Sequence, residues 1–306
     1  MKTPRILVIR GGAIGDFICT LPAIGALRER WPQAHLEILG YPRIAALAER
    51  RHYADAVRSI DAAAMARFFA VECALDPALS QYFASFDLVV SYLYDPDNVF
   101  SDNLRRAGVR QLVCGSAKPE TEHAARHFLR PLAELGITIS NPVPRVFPSA
   151  DDRAFAEQFH APHPIAVHPG SGGEHKVWPV ERWFDIIRWL QAQDREVLLV
   201  GGEADDAARA VLAPLGLRTA WNLALPQLAA VLERCALFAG HDSGITHLAA
   251  AVACPTLALF GPTSPQVWAP LGPHVRLLVA NGPMEGISTD QARAALMAML
   301  AATNQR

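Results

Sequence analysis

Lysine is scarce: only Lys2, Lys118 and Lys176 stand among the 28 basic residues. Against 30 acidic residues the formal net charge is -2, which gives no global pull toward nucleic acid, so no such partner is expected. Long hydrophobic runs are missing too. The first apolar run, in MKTPRILVIRGGAIGDF, is broken by Arg10 and resembles neither a signal peptide nor a spanning helix. A soluble, cytoplasmic protein is the expectation. Cysteine is limited to Cys19, Cys73, Cys114, Cys235 and Cys254, scattered and without CxxC spacing. That pattern argues for reduced, mostly buried thiols rather than a disulfide framework or a zinc site. A GxxxxGK[ST] phosphate loop is absent. Gly11, Gly12 and Gly15 miss the GxGxxG spacing, and the strand HLEILG ends without a ribose-binding acid, which argues against a nicotinamide enzyme.

What is present is a globular composition, 51% hydrophobic over 306 residues, long enough for two domains. Short apolar runs alternate with helical patterns. RILVIR (5–10), HLEIL (35–39), AVRSI (56–60), DLVVSY (87–92) and RQLVC (110–114) read as buried strands, with helices between them such as 15–31. The stretch ISNPVPRVFPSADD (139–152) reads as a linker. After it the rhythm restarts with strands at 164–170, 196–202, 236–240, 255–261 and 274–280. Helices are predicted over 180–193, 203–215, 225–235 and 288–302, the last capped by Ser288 or Thr289. The predicted architecture is α/β: two doubly wound, parallel-sheet domains, 1–145 and 150–306, facing across a cleft.

Three loops at strand carboxyl ends carry candidate chemistry, because open parallel sheets bind ligands there. In HDSGITHLAAAV (241–252), Asp242, Ser243 and Gly244 lie where a strand gives way to a helix. Unpaired amides and the helix dipole make such a place suitable for phosphate, although a plain cap by Asp242 or Ser243 explains the same residues. His247, one turn on, fits a satisfied core histidine equally well. HPGSGGEHKVWP (168–179) offers backbone donors around Ser171 and Gly172, with Lys176 as a point charge; an ordinary glycine-rich turn is the alternative. RGGAIGDF (10–17) places Asp16 at the start of a helix, as an active acid or a first-turn cap. Taken together, the loops suit transfer of a group from a diphosphate to an acceptor hydroxyl.

In this order, GGAIGDFICTLPAIGALRERWP, HPGSGGEHKVWPVERW and GHDSGITHLAAAVACPTLALFGPTSPQVWAP resemble three blocks of the glycosyltransferase family that contains the ADP-heptose:lipopolysaccharide heptosyltransferases, family 9. The resemblance spans nearly the whole chain. It implies the GT-B architecture, with an acceptor-side N-terminal and a donor-binding C-terminal Rossmann-like domain, and inverting transfer. By position it implies Asp16 as general base, Lys176 on donor phosphate, and Asp242, Ser243, Gly244 and His247 around the diphosphate and sugar. Ser171 and Gly172 fall near that phosphate, Glu203 is the candidate for the nucleotide ribose, and Gly15 and Arg10 stand on the acceptor side. The donor expected is a nucleoside-diphosphate sugar, first of all ADP-heptose, and the acceptor a lipid-linked or other glycan, with peripheral inner-membrane contact. Neither a cofactor nor a metal is expected: the DxD spelling of Asp95 and Asp97 occurs on the acceptor side. Two other readings stay open, a nucleotide-sugar epimerase on the same fold and a non-catalytic nucleotide-sugar binding protein.

Overall fold

The computed structural model describes residues 3–159 and 163–303, and the chain divides into two compact units, Met1–Phe147 and Pro148–Arg306. In the first unit the strands β1 (Arg5–Arg10), β2 (His35–Gly40), β3 (Ala56–Ser59), β4 (Leu88–Ser91) and β5 (Leu112–Cys114) form one sheet, ordered β3-β2-β1-β4-β5. Every pair is parallel. A parallel sheet is covered on both faces, which is why β1 and β4 are almost wholly apolar and buried. Leu7, Ile9 and Val89 pack there against Phe68, Phe83, Phe86 and Phe100.

The second unit repeats the plan. Its strands β6 (Ile165–His168), β7 (Val197–Gly201), β8 (Arg218–Trp221), β9 (Leu237–His241), β10 (Thr256–Phe260) and β11 (Val275–Val279) are ordered β11-β10-β9-β6-β7-β8, again all parallel. Val167, Leu199 and Leu259 meet the helix Val180–Gln191 through Trp183, Ile186, Ile187 and Leu190. The closing helix Thr289–Thr303 starts at Ser288, whose hydroxyl accepts the Gln291 amide at 3.2 Å while the Gln291 side chain accepts the Ser288 amide at 2.8 Å.

Three sequence expectations need correction. The linker ends earlier than position 152, because a helix occupies Ala150–Ala156. Ser149 and Asp152 cap each other reciprocally, the Ser149 amide donating to Asp152 Oδ2 at 2.7 Å and the Asp152 amide to Ser149 Oγ at 3.1 Å. Ser-Ala-Asp-Asp thus opens a helix rather than extending a loop. Strand β8 was not expected: RTAW is short, carries a charge and, among the described residues, pairs only with β7 at the sheet edge. The segment 203–215 is helical only over Asp206–Leu212, with tight turns at 203–205 and 213–215.

Strand order fixes where a ligand fits. The chain reverses its direction of winding between β1 and β4 in the first unit and between β6 and β9 in the second. At such a reversal the two following loops diverge and leave a crevice above the strand ends. The loops predicted to carry chemistry, after β1, β6 and β9, all start at these points.

Candidate functional site

In the first unit, β1 ends at Arg10 and the helix Ile14–Arg30 begins four residues later. Gly12 makes the turn with φ +96, and a side chain there would press on the Asp16 carboxylate at 3.1 Å. That freedom lets Asp16 curl back, so Oδ2 accepts the Ala13 amide at 3.0 Å. Its other oxygen, Oδ1, receives Arg10 Nη2 at 3.2 Å. Arg10 is buried: Nη1 donates to the Tyr92 carbonyl at 3.2 Å, and the guanidinium stacks on Phe128 at 4.4 Å. Burial pulls its pKa below the ordinary value, with Asp16 pulling it back up. The outcome is a carboxylate fixed on two sides yet one-quarter exposed. Gly15 sits in the first turn of the same helix, beside the unpaired amides.

The second unit builds its site from the loops after β6 and β9. Ser171 Oγ donates to the Asp242 carbonyl at 2.8 Å, and Lys176 Nζ reaches Asp242 Oδ2 at 3.0 Å. Asp242 is 7% exposed and Lys176 28%, so the carboxylate anchors the ammonium from below while the ammonium still faces solvent. The next residue, Ser243, caps the helix Gly244–Ala251 by accepting the Thr246 amide at 3.3 Å. Capping satisfies the Thr246 amide, one of the four that a helix start leaves without an intrahelical partner; Gly244 and Ile245 stand in the same first turn. A cation and oriented amides at one strand-end crevice form a seat for an anion.

Beneath this seat lies a histidine the sequence reading left without a role. His241 is wholly buried at the end of β9. Its Nε2 accepts two N–H groups, the Trp178 amide at 3.0 Å and Trp183 Nε1 at 3.1 Å. The remaining hydrogen is therefore on Nδ1, which donates to the Gly170 carbonyl at 3.1 Å. Burial lowers its pKa to about 3, so the ring is neutral. His241 ties the glycine-rich loop at both ends to the neighbouring strand, which places Lys176 over Asp242. Thr246 Oγ1 donates to the His241 carbonyl and completes the junction.

The expected residues separate into distinct groups. Ser171, Lys176 and Asp242 are joined by direct bonds, with Ser243 adjoining. Gly172 has open space where a side chain would be, so the backbone there is approachable. His247 is buried within the helix that Ser243 caps. Glu203 is exposed just after β7, its amide donating to Asn222 Oδ1 at 2.9 Å. Asp16, Arg10 and Gly15 form their own group in the first unit. The signal that marked His168 and His241 was available: both end strands that are otherwise apolar, IAVH and LFAGH. Among the described residues, no three His, Cys, Asp or Glu side chains converge to hold a metal, and no helix is long and apolar enough to cross a membrane.

Comparison with known proteins places this geometry in context. Residues 112–292 match the family described as glycosyltransferase family 9 (heptosyltransferase). Lipopolysaccharide heptosyltransferase 3 of Escherichia coli K12 is 24% identical over 283 residues, covering 84% of this chain and 82% of that protein. Lipopolysaccharide heptosyltransferase 2 of the same strain is 33% identical over a shorter match, 37% of this chain and 35% of that one. Among solved structures, the family 9 glycosyl transferase of Veillonella parvula superposes with TM-score 0.83 at 20% identity, covering 98% and 99% of the two chains. The E. coli ADP-heptose lps heptosyltransferase II gives 0.81 at 18% identity over the same shares. An E. coli heptosyltransferase crystallised with ADP gives 0.73 at 17% identity, over 96% and 99%. The fold these share is GT-B, two parallel-sheet α/β domains.

Proposed function

Since this chain belongs to glycosyltransferase family 9, the heptosyltransferases, and is a glycosyltransferase, we propose that it moves heptose from ADP-heptose to a hydroxyl of the lipopolysaccharide core with inversion at the anomeric carbon. The observation that carries the reading is the convergence of Ser171, Lys176, Asp242 and Ser243 at the reversal between β6 and β9. The domain spanning 150–306 binds the donor and the domain spanning 1–145 the acceptor. The donor diphosphate lies on the Gly244 and Ile245 amides, with Lys176 on a phosphate oxygen. As the glycosidic bond breaks, the departing ADP gains charge, and these groups stabilise it where it develops. Asp16 takes the proton of the attacking hydroxyl. Direct attack on the face opposite ADP inverts the centre. Ser171 and Gly172 line the phosphate, Asp242, Gly244 and His247 shape the wall beside the sugar, and Glu203 takes the ribose hydroxyls. Lipid-linked acceptor brings the protein to the inner membrane from the cytoplasmic side. No cofactor enters this scheme, since the lysine and helix amides supply the positive charge that the leaving group requires.

The test supplies ADP-heptose with a core lipopolysaccharide lacking that heptose, and follows ADP release together with the configuration of the product by NMR. Release that depends on acceptor, with an inverted linkage, is expected. Conversion of the sugar nucleotide without acceptor would mean an epimerase, and binding without turnover a non-catalytic binding protein.

Lys176→Ala is expected to weaken ADP binding roughly 10- to 100-fold, the range of one charge-assisted hydrogen bond. The loss is compounded because Asp242, 7% exposed, would then face the anion with its charge unbalanced. Calorimetric titration with ADP measures this, and unchanged affinity would remove Lys176 from the site.

A further inference from the structure

The segment after β3 holds apolar side chains in solvent on a rigid mount. Over 62–71 the sequence AAAMARFFAV carries one charge, Arg67. Most of it forms the 3₁₀ helix Ala63–Phe69, whose Met65 and Phe68 are buried in the core of the first unit. The opposite side faces out: Phe69 is 48% exposed and Val71 72%, and Ala62, Ala63, Ala64 and Ala66 are exposed beside them. The backbone that carries these groups is clamped. Asn103, buried in the helix Val99–Arg106, donates through Nδ2 to the Phe68 and Ala70 carbonyls, each at 3.0 Å. Those two carbonyls flank Phe69, whose ring stacks on Phe100 at 4.7 Å. Arg106 closes the clamp, Nη1 donating to Asn103 Oδ1 at 2.7 Å and Nη2 to the Cys73 carbonyl at 3.3 Å. Apolar groups held outward on an ordered backbone mark an interaction surface.

We propose that this segment docks the protein on a lipid bilayer, with Phe69 and Val71 entering the boundary between headgroups and acyl chains and Arg67 and Arg106 lying on anionic headgroups; its purpose rests on the lipid-linked acceptor of the function proposed above. Topology supports the choice of occupant. The segment leaves the carboxyl end of β3, the same end of the parallel sheet at which Asp16 stands after β1. A lipid-linked acceptor brings its hydroxyl to that end while its lipid stays in the membrane, so the bilayer approaches from there. The end of β2, next in the sheet, adds Tyr41, 40% exposed, and Arg43. Aromatic and aliphatic side chains with arginines between them suit a membrane interface: the apolar groups leave water and the guanidiniums meet phosphate. Charge points the same way. Arg43, Arg67 and Arg106 are exposed, against the exposed acids Asp61 and Glu72. That excess attracts an anionic surface and opposes a second copy of the chain, which would bring the same charges face to face.

The test is flotation with vesicles of phosphatidylcholine alone and of equimolar phosphatidylcholine and phosphatidylglycerol, with neither donor nor acceptor present. The native protein is expected to prefer the mixed vesicles. Val71→Ser should lower partitioning into them about 5- to 10-fold, and Phe69→Ser with Val71→Ser further. Arg67→Gln should lower it about fivefold and leave binding to the neutral vesicles unchanged. Heptose transfer to a delipidated, water-soluble core acceptor should be the same in all variants, while transfer to acceptor embedded in mixed vesicles falls with their binding. Should Phe69→Ser fail to fold, Val71→Ser, at the more exposed position, carries the comparison alone. Equal partitioning of native protein and variants would overturn the docking surface. So would a dimer seen by sedimentation that the same substitutions abolish while no form of the protein binds vesicles. Vesicle binding that depends on Val71 and Arg67, with no transfer to either acceptor, would uphold the docking surface and instead overturn the proposed function.

Discussion

Asp16→Asn is expected to lower kcat/KM for heptose transfer by about 10²–10⁴-fold, the usual contribution of a positioned general base. The substitution is nearly isosteric. The oxygen of the introduced side-chain amide can still accept the Ala13 amide, so the helix start survives, while the proton acceptor is lost. ADP affinity should stay within about twofold, because every group proposed to hold the nucleotide belongs to the second unit. The separation of effects is the informative part. A variant with near-normal turnover would show Asp16 to be only a helix cap, and one that lost ADP binding and transfer together would show a role in the donor site. Arg10 sharpens the assignment: it is held by the Tyr92 carbonyl and the Phe128 ring, so it fixes the carboxylate's direction.

His241→Leu should produce the largest loss of stability. The side chain is fully buried, and its removal strands the Trp178 amide, Trp183 Nε1 and the Gly170 carbonyl. Each stranded group costs roughly 1–3 kcal/mol, and relaxation keeps the total at about 3–5 kcal/mol. His241→Gln, which retains one acceptor and one donor, should recover part of this. Urea denaturation gives the comparison. The pH dependence follows from the same burial. With the folded pKa lowered to about 3 from the ordinary 6.5, the unfolded chain binds the extra proton first. Stability from the neutral ring is fully present above about pH 6.5 and is lost as pH falls toward 3, at about 1.4 kcal/mol per pH unit. His241→Leu lacks this slope, so the native-minus-variant difference should shrink on acidification. A difference independent of pH would mean that the ring is not neutral in the folded protein.

Fold and site differed in how far the sequence exposed them. Buried parallel strands such as RILVIR and TLALF are continuous apolar runs, and the helices between them keep a 3–4 residue period, so the alternation was readable. Edge strand β8 has one partner among the described residues and no such signal. The helix at Ala150 was hidden because its cap uses Asp152 instead of the commoner Glu or Gln, directly after a proline-rich stretch. Loops at strand ends could be located from local pattern alone. Which groups meet could not: Lys176 and Asp242 are 66 positions apart, His168 and Ser243 75. Such contacts depend on strand order, and strand order is not written in any one segment. Gly170 illustrates the point, since its reason is the Asp205 carboxylate 35 residues later.

The central claim is that a nucleoside diphosphate rests where β9 runs into the helix Gly244–Ala251. The most direct measurement is a crystal structure of the protein with ADP. The account predicts phosphate oxygens about 2.7–3.2 Å from the Gly244 and Ile245 amide nitrogens and from Lys176 Nζ. Ordered ADP bound elsewhere, with those amides facing only solvent, would contradict it.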